Sequence, residues 1–140
     1  MKTGWQNDYE YFVVKPLKNG NHQQLVMGAR KVCGRWYIMM GIFSSNCTYN
    51  TMIHSIAWID TMSTNKKPSI KVASLALEAL KEVEEEIHNR ANGKRTYIYV
   101  DGMDERRLRV YTKVLTKKCG YKKSTAPSRN CDLPLIYKRV

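Results

Sequence analysis

The sequence predicts an α/β (α+β) fold, in which a mixed and mostly antiparallel sheet combines with two helices. Short runs rich in aromatic and β-branched residues, joined by turn sequences, fill the first 61 residues. A long amphipathic pattern, a strand and a second helical pattern follow them. Strands joined by tight turns are antiparallel, whereas a strand–helix–strand crossover produces a parallel pair. We expect one domain over residues 1–140, with a parallel strand pair around a long central helix and a second, C-terminal helix.

Four strands are predicted in the first half of the chain. They are separated by an Asn-Gly turn in KNGNH, a Cys-Gly-Arg hairpin turn and a polar loop. The third strand is apolar on both faces, which indicates a central position in the sheet. In the fourth, apolar residues alternate between the two faces. The predicted strands cover residues 9–17, 23–32, 36–43 and 51–61.

The second half of the chain is organised around the long helix. Its apolar residues recur at helical spacing with charged residues opposite, Pro68 suits the first turn, and Asn92-Gly93 suits the end. About 24 residues of helix span about 36 Å. A fifth strand at 95–100 follows the helix, so the fourth and fifth strands are the expected parallel pair. The remaining predictions are a helix at 104–119, a basic loop at 122–130 and a final strand at 133–138.

Composition excludes several classes of protein. The longest apolar stretch, residues 37–43, is far shorter than the roughly 20 residues that cross a bilayer, and the N-terminal residues do not resemble a signal peptide. We therefore expect a soluble, cytoplasmic protein without membrane contacts. The four cysteines have no C-x-x-C spacing and no histidine at ligand spacing. This favours reduced thiols and no metal site.

The net charge of +12 is the strongest compositional signal. Residues 102–140 hold eleven Lys/Arg against three acids, while five of the twelve acids lie on the long helix. Such a surface attracts polyanions, so the expected partners are nucleic acid or an acidic protein, bound through the basic C-terminal third. Aromatic and basic residues also mingle at 35–37 and 95–99. We interpret these tyrosines as sheet-face packing, because RNA recognition by stacking requires them to be exposed on one face.

The helix ALEALKEVEEE, the strand TYIYVDG and the closing KKCGY resemble the core of the GNAT superfamily, the acyl-CoA-dependent N-acetyltransferases. The resemblance covers most of the chain and is best over residues 51–121. It implies a GNAT-like domain with acetyl-CoA or CoA bound where the fourth and fifth strands diverge. The two helices that usually follow the first strand would be missing or reduced to KNGNH. The chain also looks like small basic phage proteins of this superfamily, some tied to virion assembly, which implies a location in the host cytoplasm or the virion.

In active GNAT members, the coenzyme pyrophosphate rests on a Q/R-x-x-G-x-G/A loop that opens the long helix. Helix N-termini offer unpaired N–H donors, and glycines let the backbone approach the phosphates. The corresponding residues here read PSIKVA, where only Ala73 agrees and Pro68 removes a donor. Lysine side chains are an alternative way to hold the phosphates. The cofactor-binding residues that the resemblance implies are Lys66, Lys67, Ser69, Ile70, Lys71, Val72 and Ala73.

A tyrosine on the last helix of many GNAT members protonates the departing thiolate, four residues before a Gly-aromatic pair. Thr116 has that position here, ahead of Gly120-Tyr121, and Tyr111 lies further back. The expected general base is a carboxylate at a strand end, Asp60 or Asp101, or a histidine that titrates near neutrality. Turn, cap or packing roles are the structural alternatives for these residues. The candidate catalytic residues are Tyr111, Thr116, Asp101 and His54.

Three functions follow as hypotheses. The first is a GNAT-like domain with a degenerate acetyl-CoA site, acting as a non-catalytic binding or assembly protein. The second is an active acetyl-CoA-dependent N-acetyltransferase, in which backbone groups hold the thioester without needing particular side chains. The third is a basic nucleic-acid-binding protein. The missing glycine loop and the displaced tyrosine favour the first hypothesis over the second.

Overall fold

The computed structural model describes residues 1–18, 22–53, 70–102 and 104–140. Within these ranges the chain forms a seven-stranded sheet and three helices. In chain order the elements are β1 (Gly4–Asn7), β2 (Glu10–Pro16), β3 (Gln23–Val32), β4 (Arg35–Ser44), α1 (Tyr49–Ile53), α2 (Ile70–Ala91), β5 (Tyr97–Val100), α3 (Glu105–Lys118), β6 (Lys122–Pro127) and β7 (Pro134–Arg139).

The sheet is mixed and mostly antiparallel. Its strand order is β1-β2-β3-β4-β5-β7-β6, and the β4–β5 pair is parallel. The turn between β3 and β4 consists of Cys33 and Gly34, whose positive φ angles of 51° and 80° suit a two-residue hairpin. β4 lies between β3 and β5, which confirms the central position predicted for that apolar strand. The α+β class is thereby confirmed.

The prediction of a fourth strand at residues 51–61 is wrong where the structure describes it. Tyr49–Ile53 form the short helix α1, and residues 54–61 lie outside the described ranges. The hydroxyl of Thr48 accepts a hydrogen bond from the Thr51 N–H at 3.3 Å, so a local cap favours a helical turn over the strand that the alternation predicted. The parallel partner of β5 is therefore β4, and α2 lies on the chain between β4 and β5.

The long helix α2 is confirmed over Ile70–Ala91, and its predicted start at Pro68 lies outside the described residues. Asn92 and Gly93 follow it with φ angles of 50° and 84°, a left-handed ending that favours these residue types. Trp5 fixes the far end of the helix to the sheet, since its indole N–H donates to Glu86 Oε1 at 2.8 Å. The guanidinium of Arg90 lies 3.8 Å from the centre of the same ring.

The predicted loop at 122–130 is also wrong, because Lys122–Pro127 form β6. Among the described strands, β6 lies at the edge of the sheet and pairs with β7 alone, with an irregular register between Lys123 and Pro127. Lysine and proline are frequent on edge strands, where they resemble loop composition. The edge strand β1 was also not predicted. It has only four residues, too few for a clear alternating pattern.

The two sheet faces are covered differently. One face carries the main core, in which α2 and α3 pack on the central strands, and Leu25, Val83, Ile98 and Ile136 are almost fully buried there. On the opposite face a smaller cluster of Phe12, Val26 and Phe43 packs with Tyr49 of α1. None of the helices in the described ranges is long and apolar enough to span a bilayer.

Candidate functional site

A cleft lies where the pairing of β4 with β5 ends. The two strands pair over Trp36↔Ile98 to Ile38↔Val100, after which β4 continues to Ser44 and β5 ends. Residues of these strands, of α2 and of α3 line an open cavity of about 190 Å³. Its lining residues are Met27, Ile38, Met40, Ala73, Ala76, Leu77, Leu80, Val100, Asp101, Val110, Tyr111, Val114 and Leu115.

The wall of this cleft consists mainly of apolar side chains. Asp101 at the end of β5 and Tyr111 on α3 are the lining residues with polar side-chain groups. The sequence named both as catalytic candidates, so the fold does place two of the four in one cleft. An apolar cleft with a few polar groups is typical of small-molecule sites in proteins.

The carboxylate of Asp101 accepts three hydrogen bonds. Its Oδ1 accepts from the Gly102 N–H at 2.8 Å and from the Ser128 hydroxyl at 2.6 Å, and its Oδ2 accepts from the Arg129 N–H at 3.2 Å. Nearby, the Asn130 side chain donates to the Gly102 carbonyl at 2.9 Å. Asp101 thus fastens the β6–β7 connection to the end of β5, which is the structural role that sequence reasoning held open for it.

Thr116 and Tyr111 have different environments on α3. The Thr116 hydroxyl donates to the Thr112 carbonyl at 2.6 Å, and its side chain is exposed and does not line the cleft. Tyr111 is half-buried against the main core and forms part of the cleft wall. The position that the GNAT-type spacing assigns to the acid therefore lies away from the cleft, and the tyrosine one turn earlier lies in it.

Much of the predicted cofactor loop lies outside the described residues. This applies to Lys66, Lys67 and Ser69, and also to the catalytic candidates His54 and Asp60. Ile70 and Lys71 begin α2, Val72 is half-buried beside the core, and Ala73 lines the cleft. The first turn of α2 is thus next to the cleft, while phosphate binding by these seven residues stays a prediction.

Sequence reasoning missed a buried polar cluster beside the cleft. The Tyr121 hydroxyl donates to Glu84 Oε2 at 2.7 Å, and Lys138 Nζ lies 3.1 Å from Glu84 Oε1. Burial raises the pKa of Tyr121, and the neighbouring Glu84 carboxylate raises it further, so the phenol stays protonated. Burial and Glu84 likewise raise the pKa of the Cys119 thiol. The Gly-aromatic pair after α3 was visible in the sequence, but its partner on α2 was not.

This cluster joins three elements of the fold, because Glu84 lies on α2, Lys138 on β7, and Tyr121 just after α3. A carboxylate with two donors in a nearly dry site is stable, whereas removing either donor leaves charge poorly compensated. A shallow depression next to the cluster is lined by Leu77, Glu78, Leu80, Lys81, Glu84, Lys118, Cys119 and Lys138. Across residues 1–18, 22–53, 70–102 and 104–140, no three His, Cys, Asp or Glu side chains gather as metal ligands.

Comparison with known proteins gives no assignment for this geometry. No protein-family model matches the chain, and neither a curated protein nor a solved structure matches it.

Proposed function

We propose that this chain is a non-catalytic binding or assembly protein built on a GNAT-like domain, with a degenerate acetyl-CoA site. The observation that carries the proposal is the set of hydrogen bonds made by Asp101, the carboxylate in the cleft. Its oxygens already accept hydrogen bonds from Ser128 and from two backbone N–H groups. A general base must reach the proton that it removes, and both oxygens of Asp101 are already engaged in these structural hydrogen bonds.

The resemblance to GNAT proteins is supported by topology. A long helix lies on the chain between two parallel strands, and a second helix follows, which is the layout that the resemblance implies. Two departures from the GNAT pattern support the proposal that the acetyl-CoA site is degenerate. PSIKVA at the start of the helix lacks the glycines that let a backbone approach phosphates, and Thr116 points away from the cleft.

A second candidate, an active N-acetyltransferase, is favoured by the position of Tyr111. Its side chain lies in the wall of the cleft, beside the point where the pairing of β4 with β5 ends, and the resemblance implies that the coenzyme arm would lie there. β4 and β5 pair as far as Ile38↔Val100, and Met40 and Asp101, just beyond this pairing, line the cleft. The cleft is also apolar enough for an acyl chain.

An acetyl-transfer assay separates these two candidates. Purified protein is incubated with acetyl-CoA and a panel of primary amines, and released thiol is measured against a blank without protein. We expect no release above the blank. Release that Tyr111→Phe lowers by about 100-fold or more, the usual contribution of a positioned acid, would overturn the non-catalytic proposal. The matched control is Tyr9→Phe, since Tyr9 is 62% exposed in the turn between β1 and β2.

A further inference from the structure

Four tyrosines lie on the sheet face opposite α2 and α3. The strand register pairs Tyr37 with Tyr99 and Tyr99 with Tyr137, so one row of rings crosses β4, β5 and β7. Tyr97 lies two residues before Tyr99 and therefore on the same face. The alternate residue Ile98 is fully buried under the helices. The rings thus line a face that neither long helix covers; this face is called here the tyrosine face.

The rings of the tyrosine face contact one another. The Tyr37 and Tyr99 centroids are 5.7 Å apart with an interplanar angle of 30°, and those of Tyr99 and Tyr137 are 5.8 Å apart at 24°. Tyr97 and Tyr137 are 6.0 Å apart at 52°. All four side chains are half-buried. They form a continuous aromatic surface instead of four separate contacts.

These rings do not behave as core tyrosines. Buried tyrosine hydroxyls usually find a hydrogen-bond partner, as Tyr121 does with Glu84. In the part of the chain that the structure describes, none of the four hydroxyls on the tyrosine face has a partner within the protein. Among the described residues, none of these hydroxyl oxygens is a buried atom without a partner, so the polar ends of the rings reach solvent.

Basic side chains surround the rings. The Arg35 guanidinium lies 5.2 Å from the centre of the Tyr99 ring, Lys122 is the cross-strand neighbour of Tyr137, and Arg139 is that of Tyr97. All three cations are exposed, and among the described residues none of them has a carboxylate within ion-pair distance. By contrast, Arg30 next to Tyr37 is paired with Glu10. The tyrosine face therefore offers uncompensated positive charge at its edge.

We propose that the tyrosine face binds single-stranded nucleic acid, with bases stacked on the rings and phosphates on Arg35, Lys122 and Arg139. Aromatic side chains on a sheet stack about two or three unpaired bases in proteins that bind single strands. A duplex hides the faces of its bases inside the stack, so it could use only the cations. An acidic peptide would likewise leave the rings unused. Unpaired bases joined by phosphates match both features together.

The test is a fluorescence-anisotropy titration of the full chain with labelled strands of about 12 nucleotides, within the usual site size of such proteins. Oligouridine and oligothymidine show whether ribose and deoxyribose strands both bind. A duplex of the same length shows whether unpaired bases are required. We expect both single strands to bind at low salt at least about tenfold more tightly than the duplex. We also expect the affinity to fall steeply with the logarithm of the salt concentration.

Variants at Tyr99 separate stacking from charge. Tyr99→Leu keeps an apolar strand residue but removes the aromatic ring, and we expect it to weaken binding by about tenfold or more. Tyr99→Phe keeps the ring, so we expect binding within about twofold of the original chain. The matched control is Tyr9→Leu, which changes an exposed tyrosine outside the tyrosine face and should leave binding unchanged. Arg139→Gln should reduce the salt slope by about one unit.

Circular dichroism establishes that each variant is folded, and Tyr37→Leu and Tyr137→Leu replace Tyr99→Leu if that variant does not fold. The proposal is overturned if neither single strand binds at low salt, or if the duplex binds equally well. It is also overturned if Tyr99→Leu binds like the original chain, or if Tyr99→Phe loses as much affinity as Tyr99→Leu. A dimer in light scattering that Tyr99→Leu dissociates would assign the tyrosine face to self-association instead. These outcomes do not depend on whether coenzyme A binds in the cleft.

Discussion

At the scale of single residues, Glu10 connects the sheet to α1. Its carboxylate accepts hydrogen bonds from the Tyr49 hydroxyl at 2.7 Å and the Asn7 amide at 3.0 Å, and it pairs with Arg30 at 3.0 Å. Burial by itself would raise the pKa of Glu10, but the hydrogen bonds from Tyr49, Asn7 and Arg30 outweigh burial and hold this pKa below its usual range. A lowered pKa in the folded state links the stability of the protein to pH.

The sign of this linkage gives the first prediction. The contribution of Glu10 is present above the unfolded pKa of about 4.3 and is lost as the pH falls through the folded pKa. The original chain should therefore be more stable than Glu10→Gln at pH 7, and the difference should shrink as the pH is lowered below about 4.3. Urea denaturation of both proteins across this pH range measures the effect.

Glu85→Gln is the matched control, since Glu85 is exposed on α2. Its free energy of unfolding should stay within about 0.5 kcal/mol of the original at every pH. An unchanging difference between Glu10→Gln and the original chain across the acid range would show that the Tyr49–Asn7–Arg30 contacts do not favour the ionised carboxylate.

Tyr121 gives the second prediction at this scale. Tyr121→Phe keeps the buried ring and removes the donor to Glu84, which leaves a nearly buried carboxylate oxygen short of one partner. We expect a loss of about 1–3 kcal/mol in the free energy of unfolding at pH 7. Tyr9→Phe, at an exposed tyrosine, should change it by less than about 0.5 kcal/mol. Equal effects of the two substitutions would mean that Lys138 alone compensates Glu84.

At the scale of elements, Gly102 sets how closely α3 approaches the sheet. A Cβ atom at this position would lie 2.6 Å from the Leu108 backbone nitrogen and 2.9 Å from its Cα. Gly102→Ala must therefore displace the first turn of α3, which we expect to cost about 1–3 kcal/mol of stability. Thermal unfolding monitored by circular dichroism measures it. Lys113→Ala, an exposed site on the same helix, is the control, and an equal melting temperature for both variants would refute the close approach.

Elements with a strong local signal could be predicted from the sequence. β3 has the predicted bounds, and α3 begins after Asp104, whose side chain accepts the Arg107 N–H at 2.8 Å as an N-cap. α1 could not be predicted, because alternation in residues 51–61 and the Thr48 cap point to different structures. β6 could not be predicted either, since the pairing of an edge strand depends on a partner elsewhere in the chain.

Local sequence patterns identified some residues of the candidate site but not their distant partners. Asp101 and Tyr111 were identified as candidates from a strand end and a helix, and both lie in the cleft. Two of the three hydrogen bonds to Asp101 come from residues 27 and 28 positions away, which no local pattern shows. The expected spacing places Thr116 at the position of the acid, whereas Tyr111 lines the cleft, because the spacing of a motif does not say which face of α3 the cleft occupies.

At the scale of the whole molecule, the two faces of the sheet carry different side chains. The acids of α2 lie on the helical side, where Glu78 and Glu82 pair with Lys15 and Glu86 binds Trp5. The opposite side carries the tyrosine face with its exposed cations. The net charge of +12 was evident from composition. That four tyrosines from three strands share one face depends on the sheet register, which the sequence does not specify.

The central proposal is that the GNAT-like layout is kept in this chain while its acetyl-CoA site is degenerate, so that the coenzyme does not bind. A calorimetric titration with acetyl-CoA and with CoA, accompanied by thermal unfolding in millimolar coenzyme, tests it most directly. The account predicts no saturable heat and no rise in melting temperature with either compound. One-to-one binding that stabilises the protein by about 2.7 kcal/mol at 100 times the dissociation constant would contradict it.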